Sequence, residues 1–318
     1  MIDTNLILVD GLPGSGKSTT AQRMFLHLIN NGYDVRWYYE HETPHPIYGY
    51  DKIETALDQG APGLHALLKQ ATENWRGLAE SVGVNSQIAI LDGALFQTTV
   101  GLLRSLRRDE ATITSEGLYI AELLRPLQPT LIYFYQTDVA GALRRTAAER
   151  GEEFVALLAH RLARTPYGKE NNLDSLEAFI AFFEGQQATT DSLYTAWGLR
   201  KLAIESSAGN WDRSLNQIAQ FLGLSALELP VTPADNLDDF CGAYQDQAAA
   251  DSFVVMTDDK NLYLEGPPPA RLFHKADSSF YVEALCIELS FCRNAQGSVV
   301  ALECVGNLPN LSKMWTKV

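Results

Sequence analysis

The segment "GLPGSGKST", Gly11 to Thr19, leaves this chain few ways to fold. It meets the pattern G-x-x-x-x-G-K-[ST] through Gly11, Gly16, Lys17 and Ser18. Before it, "NLILVD" is a short apolar run of the kind a buried parallel strand needs. After it, "KSTTAQRMFLHLINNG" carries Ala21, Phe25, Leu26, Leu28 and Ile29 at helical spacing and stops at "NNG". Strand, glycine loop and helix in that order form a cradle for a nucleotide polyphosphate. Gly14 and Gly16 let the backbone curl so that successive N–H groups point inward, and the helix start adds its positive end. Gly11, Pro13, Gly14, Ser15, Gly16, Lys17, Ser18 and Thr19 are therefore expected to hold the nucleotide. Lys17 should reach the β- and γ-phosphates, and the Ser18 hydroxyl should ligate Mg²⁺.

The rest of the chain continues this alternation. "YDVRWYYEH" (Tyr33 to His41) predicts a second strand, and "TPHPIYGY" is a proline-broken loop. "GLHALLKQATENWRGLAESV" predicts a helix, and "SQIAILDG" a strand ending in Asp92. "QTTVGLLRSLR" and "GLYIAELLRPLQ" predict helix on either side of a polar break. "PTLIYFYQTD" is the next strand, followed by one or two helices interrupted near Gly151 and a long helix over "LDSLEAFIAFFEGQQATTDSLYTAW". "RKLAIES" and "WDRSLNQIAQFLGL" close the series. Such alternation predicts an α/β fold: a three-layer parallel sheet with helices on both faces. At "ELPVTPADNL" the texture changes, and the period becomes two in "DSFVVMTDD", "NLYLEG", "ARLFHKA", "SFYVEALCIELSFCRN" and "GSVVALECVG". That predicts a small C-terminal antiparallel β domain of about five strands. The expected domains are residues 1–229 and 230–318.

Composition narrows the ligand. The net charge is −14, and no stretch concentrates Lys and Arg as a nucleic-acid groove would. The arginines of the middle third (104, 107, 108, 144, 145, 150, 161 and 164) suit a small anion better than a polymer. No span is long enough to cross a membrane, and no basic start followed by an apolar run marks a leader, so a cytoplasmic location is expected. Cys241, Cys286, Cys292 and Cys304 fall in strand-like segments without metal-ligand spacing and are expected to be reduced, buried thiols.

Asp92 ends an apolar strand, and parallel sheets place ligands at the carboxyl ends of their strands. A carboxylate there can order the water shell of Mg²⁺ or take a proton from an acceptor hydroxyl. Glu40, His41, Glu42 and His45 follow the second strand, with a spacing that matches no metal signature. An acceptor pocket is expected there, with Glu42 binding a hydroxyl or amine. A transferring phosphoryl group also needs positive charge around it, which Arg150 with Arg144 or Arg145 can supply.

From Asp10 onward, "LILVDGLPGSGKST" resembles the nucleotide-kinase branch of the P-loop proteins, thymidylate kinases among them, through about the first 220 residues. "WYYEHETPHP" resembles the acceptor segment after the second strand, with Glu42 and Pro44 the nearest matches and His41 beside them. "LDGALFQ" resembles the later acid-plus-arginine and tyrosine-glutamine elements, which places Asp92, Phe96 and Gln97 there, while Gly93 stands where the family has arginine. "DVAGALRRTAAERGEEF" resembles the helix leading into the arginine-bearing lid, with Arg144 on it and Arg150–Gly151 at its end. The loop after the last strand borders the adenine in such kinases, which here means Ala208, Gly209 and Asn210. The resemblance implies phosphoryl transfer from ATP with Mg²⁺ to a small molecule. Pro13 replaces an acid of the family's loop, which argues against a standard nucleoside monophosphate as the acceptor. The C-terminal segment resembles the small β domain appended to some β-lactamase-like proteins, on Gly242, Tyr244, Leu262, Leu264, Phe280, Phe291 and Gly297. The competing reading is a nucleotide-dependent regulatory ATPase or switch acting through a protein partner.

Overall fold

The computed structural model describes residues 2–84, 87–173, 175–224, 226–227, 236–246, 252–266, 268–306 and 314–318. The chain divides into two compact units, residues 1–41 with 45–227, and Glu42–Pro44 with 228–318. Of the proline-containing linker expected at Glu228–Leu237, residues 228–235 lie outside the described residues.

In the first unit the strands are β1 (Leu6–Gly11), β2 (Val35–Tyr38), β3 (Ile88–Asp92), β4 (Thr130–Tyr135) and β5 (Lys201–Glu205). They form one parallel sheet in the order β2-β3-β1-β4-β5. Every residue of β1 is buried, as a central strand covered on both faces must be. Leu6 and Leu8 join Ala89, Leu91, Leu131 and Tyr133 in one core cluster; Ile7 and Val9 alternate to the other face and are buried as well. The fold class is the expected one: a parallel sheet with helices on both faces, and a separate antiparallel β unit.

The helices are α1 (Lys17–Asn30), α2 (Tyr50–Asp58), α3 (Ala61–Val84), α4 (Gly101–Ser105), α5 (Glu110–Leu124), α6 (Val139–Arg150), α7 (Glu152–Ala163), α8 (Pro166–Asn171), α9 (Leu176–Ala196) and α10 (Trp211–Leu222). Two features depart from the sequence pattern. The second strand stops at Tyr38, so Tyr39 to His41 already belong to a turning segment. "ALFQTTV", Ala94–Val100, is a π-helix, with the Thr98 amide donating to the Gly93 carbonyl five residues back.

The second unit contains β6 (Gly242–Gln245), β7 (Ser252–Thr257), β8 (Leu262–Leu264), β9 (Ala270–Ala276), β10 (Ser279–Val282), β11 (Ile287–Arg293), β12 (Val299–Gly306) and β13 (Met314–Lys317). They close into an eight-stranded barrel, with β13 pairing back to β6. The five period-two runs of the sequence undercount these strands. "SFYVEALCIELSFCRN" is split by a turn into β10 and β11, and β6 and β13 are too short to announce themselves by alternation. A bulge where Val299 pairs Arg293 and Ala301 pairs Cys292 shifts the inward set of β12 from Val299 to Leu302 and Cys304. Cys304 is buried at an inward position of β12; Cys241, Cys286 and Cys292 are half-buried, the first two outside the strands, so burial is found for Cys304 and not for the other three.

Phe280 is 1% exposed and sits edge-on to Phe240 and Phe291 in the barrel core. Phe280→Ala should therefore cost about 3–5 kcal/mol, read as lost amide protection in β9 to β11 by hydrogen exchange on the full chain.

Candidate phosphate site

The glycine loop lies where its sequence predicts, between β1 and the first turn of α1. Gly16 takes φ +85°, and a Cβ there would come within 2.3 Å of the Trp211 ring. A side chain at Gly16 is thus excluded both by conformation and by the indole packed on the loop. Trp211 opens α10 and is 40% exposed. Beside it Arg145 donates to the Ser207 carbonyl at 2.9 Å, tying α6 to the loop after β5. Asn210, expected at the adenine, has its side-chain oxygen taken by the Arg213 amide at 3.2 Å as the cap of α10.

Three acids and one lysine meet at the carboxyl edge of β1 and β3. Lys17 is 4% exposed and pairs with Glu40 at 3.1 Å. Gln97 donates to the same Glu40 oxygen, and His41 lies 3.4 Å from the other. Burial alone would raise Glu40, but the charges of Lys17 and His41 and the bonds from Lys17 and Gln97 outweigh it, holding Glu40 down at about 2. Asp10 is fully buried and accepts from the amides of Leu95 at 3.0 Å and Gln97 at 2.8 Å. Burial pushes it up to about 6 against those bonds.

Asp92 has no such relief. It is fully buried, and neither carboxylate oxygen receives a hydrogen bond among the described residues. Burial pushes it up to about 8, helped by the negative charges of Glu40 and Asp10; Lys17 and the nearby Ser18 hydroxyl pull the other way. Gly93 is next in the chain at φ +65°, and a Cβ on it would lie 2.9 Å from the Glu40 carboxylate and 3.0 Å from Lys17 Cε. A side chain at this position would be strained by that conformation and would displace the ends of Glu40 and Lys17.

The other expected site residues scatter. Gln97 is in the site. Phe96 is 1% exposed and packs edge-on to Tyr133 and Trp197, so its ring is part of the core. Glu42 is fully buried and His41 half-buried; burial lowers His41, with Lys17, Arg161 and Arg150 adding to the effect and Glu40 opposing it. His45 serves the backbone: its Nδ1 accepts from the amides of Ile47 and Tyr48, and burial lowers it to about 4. Arg144 is exposed, and Arg150 is exposed with its guanidinium 4.8 Å from the Phe154 ring centre. Arg161 and Arg164 both bind Glu54 of α2, at 2.6 and 2.9 Å. The pairing of Glu40 with Lys17 and the place of Trp211 on the loop are what sequence reasoning misses. In the sequence Glu40 is one of four polar residues in a strand extension, and an aromatic opening the last helix gives no signal of its own.

A divalent cation fits this site. The orphaned, buried oxygens of Asp92 stand near the Ser18 hydroxyl, and oxygen donors of this kind suit Mg²⁺. Among the described residues no group of three or more His, Cys, Asp and Glu side chains is arranged to hold a metal, so the protein would supply few of the ligands. Mg²⁺ keeps several waters and phosphate oxygens in such sites.

No protein-family model matches the chain. No curated protein matches it either. Among solved structures it is similar to a deoxyadenosine kinase from M. mycoides with bound dATP, at 11% identity and a TM-score of 0.41, over 69% of this chain and 99% of that one. A TM-score that low carries neither substrate nor activity from one chain to the other. Among the described residues no helix is long and apolar enough to cross a membrane.

The position of Asp92 has a consequence for stability. Its pKa is raised on folding, so the native state favours its neutral form. That contribution is present below the ordinary carboxylate value of 3.8 and is lost as pH rises toward about 8. Asp92→Asn, which mimics the neutral form, should gain thermal stability over the parent chain, and gain more at pH 8 than at pH 5. Melting curves at the two pH values check this; an equal difference at both would contradict it.

Proposed function

We propose that this chain is an ATP-dependent phosphotransferase acting on a small polar molecule other than a standard nucleoside monophosphate. The observation that carries the reading is Asp92: a buried carboxylate whose oxygens receive no hydrogen bond among the described residues, at a strand end beside Lys17 and the start of α1. An unpaired buried acid destabilises a fold, and such costs concentrate at functional sites.

The loop amides and the start of α1 receive the donor phosphates. Lys17 exchanges its contact with Glu40 for a phosphate oxygen. Ser18 and Asp92 hold Mg²⁺, which when bound supplies positive charge to the β- and γ-phosphates. Glu40, held ionised near Lys17, is then free to accept a hydrogen bond from the acceptor, a role the sequence alone assigns to Glu42 and His41. Gln97 orients that carboxylate. Arg150, with Arg144 or Arg145, approaches the transferring group and offsets its charge. The demand on the protein is alignment and electrostatics, since phosphoryl transfer asks for little covalent chemistry from side chains. The departure at Pro13 and the absence of an arginine at Gly93 support an acceptor that is not itself a phosphate ester.

The test is labelled ATP against a panel of non-nucleotide alcohols and amines, with single-turnover kinetics on the variants. Lys17→Ala should abolish turnover and weaken ATP binding. Asp92→Asn should lower turnover on the order of 10²-fold with a smaller effect on ATP affinity. Parent rates in both variants would overturn the assignment. ATP hydrolysis that passes phosphate to no acceptor and tracks a bound partner protein would establish the switch reading instead.

A further inference from the structure

A cavity of about 470 Å³ lies in the first unit among Tyr48, α3, the π-helix, α4 and α5. It shares no residue with the glycine loop. Its walls are apolar and aromatic at depth: Trp75 is fully buried, and Leu103 and Ile120 are 6% and 3% exposed. Two polar groups are built into that depth. The indole N–H of Trp75 is buried with no acceptor among the described residues. The Tyr48 hydroxyl contacts Thr99 Oγ1 at 3.0 Å. Thr99 uses its single proton on the Ala94 carbonyl at 2.8 Å, so Tyr48 is the donor in that pair and its phenolic oxygen keeps its acceptor capacity.

The cavity is ringed by charge. Lys69 and Arg108 line it, are exposed, and make no ion pair among the described residues. Glu116 is the lone acid in the lining. In a chain of net charge −14, two unpaired cations against one acid at a single opening is a local reversal of sign. A neighbouring hollow of about 440 Å³ shares Lys69, Thr72 and Glu116, so space continues outward along the α3–α5 seam. Arg108 also lines a third hollow with Arg104 and Arg107, three of the middle-third arginines that phosphoryl transfer does not use.

We infer that this cavity is a second ligand site, for a small molecule with an aromatic or apolar body and one anionic group. The body fills the depth against Trp75, Leu103 and Ile120, and the anion lies at the opening between Lys69 and Arg108. Ligand pockets commonly combine an apolar lining with a few placed polar groups, and this one has room for a compact aromatic anion. The site stands whether or not the chain transfers phosphate.

Three probes test it on the full chain without nucleotide: phenylphosphonate, indole-3-acetate and 1-naphthoate, with inorganic phosphate and benzyl alcohol as the head and body alone. Binding is monitored by ligand-detected NMR and by the Trp75 indole N–H resonance. At least one aromatic anion should bind and move that resonance, while phosphate and benzyl alcohol bind at least 10-fold more weakly. Lys69→Glu and Arg108→Glu, both surface changes, should weaken binding at least 10-fold; Lys17→Ala and saturating Mg-ATP should leave the anion bound. The inference is overturned if no probe binds, if the two charge reversals have no effect, or if Mg-ATP displaces the probe, which would assign the contact to the nucleotide site.

Discussion

A single carboxylate sets the geometry on which the candidate phosphate site depends. Asp10, near the end of β1, is sealed from water and accepts the amides of Leu95 and Gln97. Those amides begin the π-helix, where free N–H groups would otherwise go unpaired. The bond fixes the segment after β3 to the strand that feeds the glycine loop. From the other side Gln186 of α9 donates to the carbonyls of Phe96 and Gln97 at 3.0 and 3.1 Å. Held from both sides at Leu95 to Gln97, the segment delivers Gln97 to Glu40, and Gly93 leaves the space in which Glu40 and Lys17 meet.

The charges at this edge sit in unequal environments. Lys17 pairs with Glu40, and each offsets the other. Asp10 is compensated by backbone dipoles. At Asp92 burial outweighs the opposing charge of Lys17 and the Ser18 hydroxyl, and its carboxyl rises furthest of the three, to about 8, while Glu40 falls to about 2. Low local dielectric amplifies both directions. On the proposed reading, arrival of a triphosphate with its cation is an exchange of partners: anion for Glu40 at Lys17, cation for proton at Asp92. Binding would then release a proton and strengthen as pH rises toward the Asp92 value.

Much of this is legible in the residues. The glycine loop announces strand, turn and helix together, because each of Gly11, Gly16, Lys17 and Ser18 answers a separate requirement of phosphate binding. The five parallel strands are visible as short apolar runs separated by helical periods. Asp92 is found by its position at a strand end. Glu40 is named in the acceptor segment but passed over for Glu42, because period-two reasoning carries past Tyr38, where pairing stops and alternation no longer says which way a side chain turns. The π-helix is invisible for a related reason: "ALFQTTV" has the composition of an ordinary helix start, and its wider turn is imposed by Asp10 and Gln186, which are distant in sequence. In the barrel, β6 and β13 are four residues each, too few for a period to be counted, and only their mutual pairing shows them to be the closing strands.

The π-helix also bears on how such a chain can change over evolutionary time. A turn closed by a five-residue step holds one residue more than an α-helical turn would. Relaxing Ala94–Val100 into an α-helix without changing its length would rotate the chain downstream of it by about 100°. Leu102 and Leu103, both buried, would swing off the core, and Gly101 would leave the place where Gln186 packs against it. The wide turn, held by Asp10 and Gln186, thus absorbs one residue and keeps α4 facing the core. Loss of one residue together with that turn would leave the same register, whereas loss of Asp10 or Gln186 alone would put it at risk.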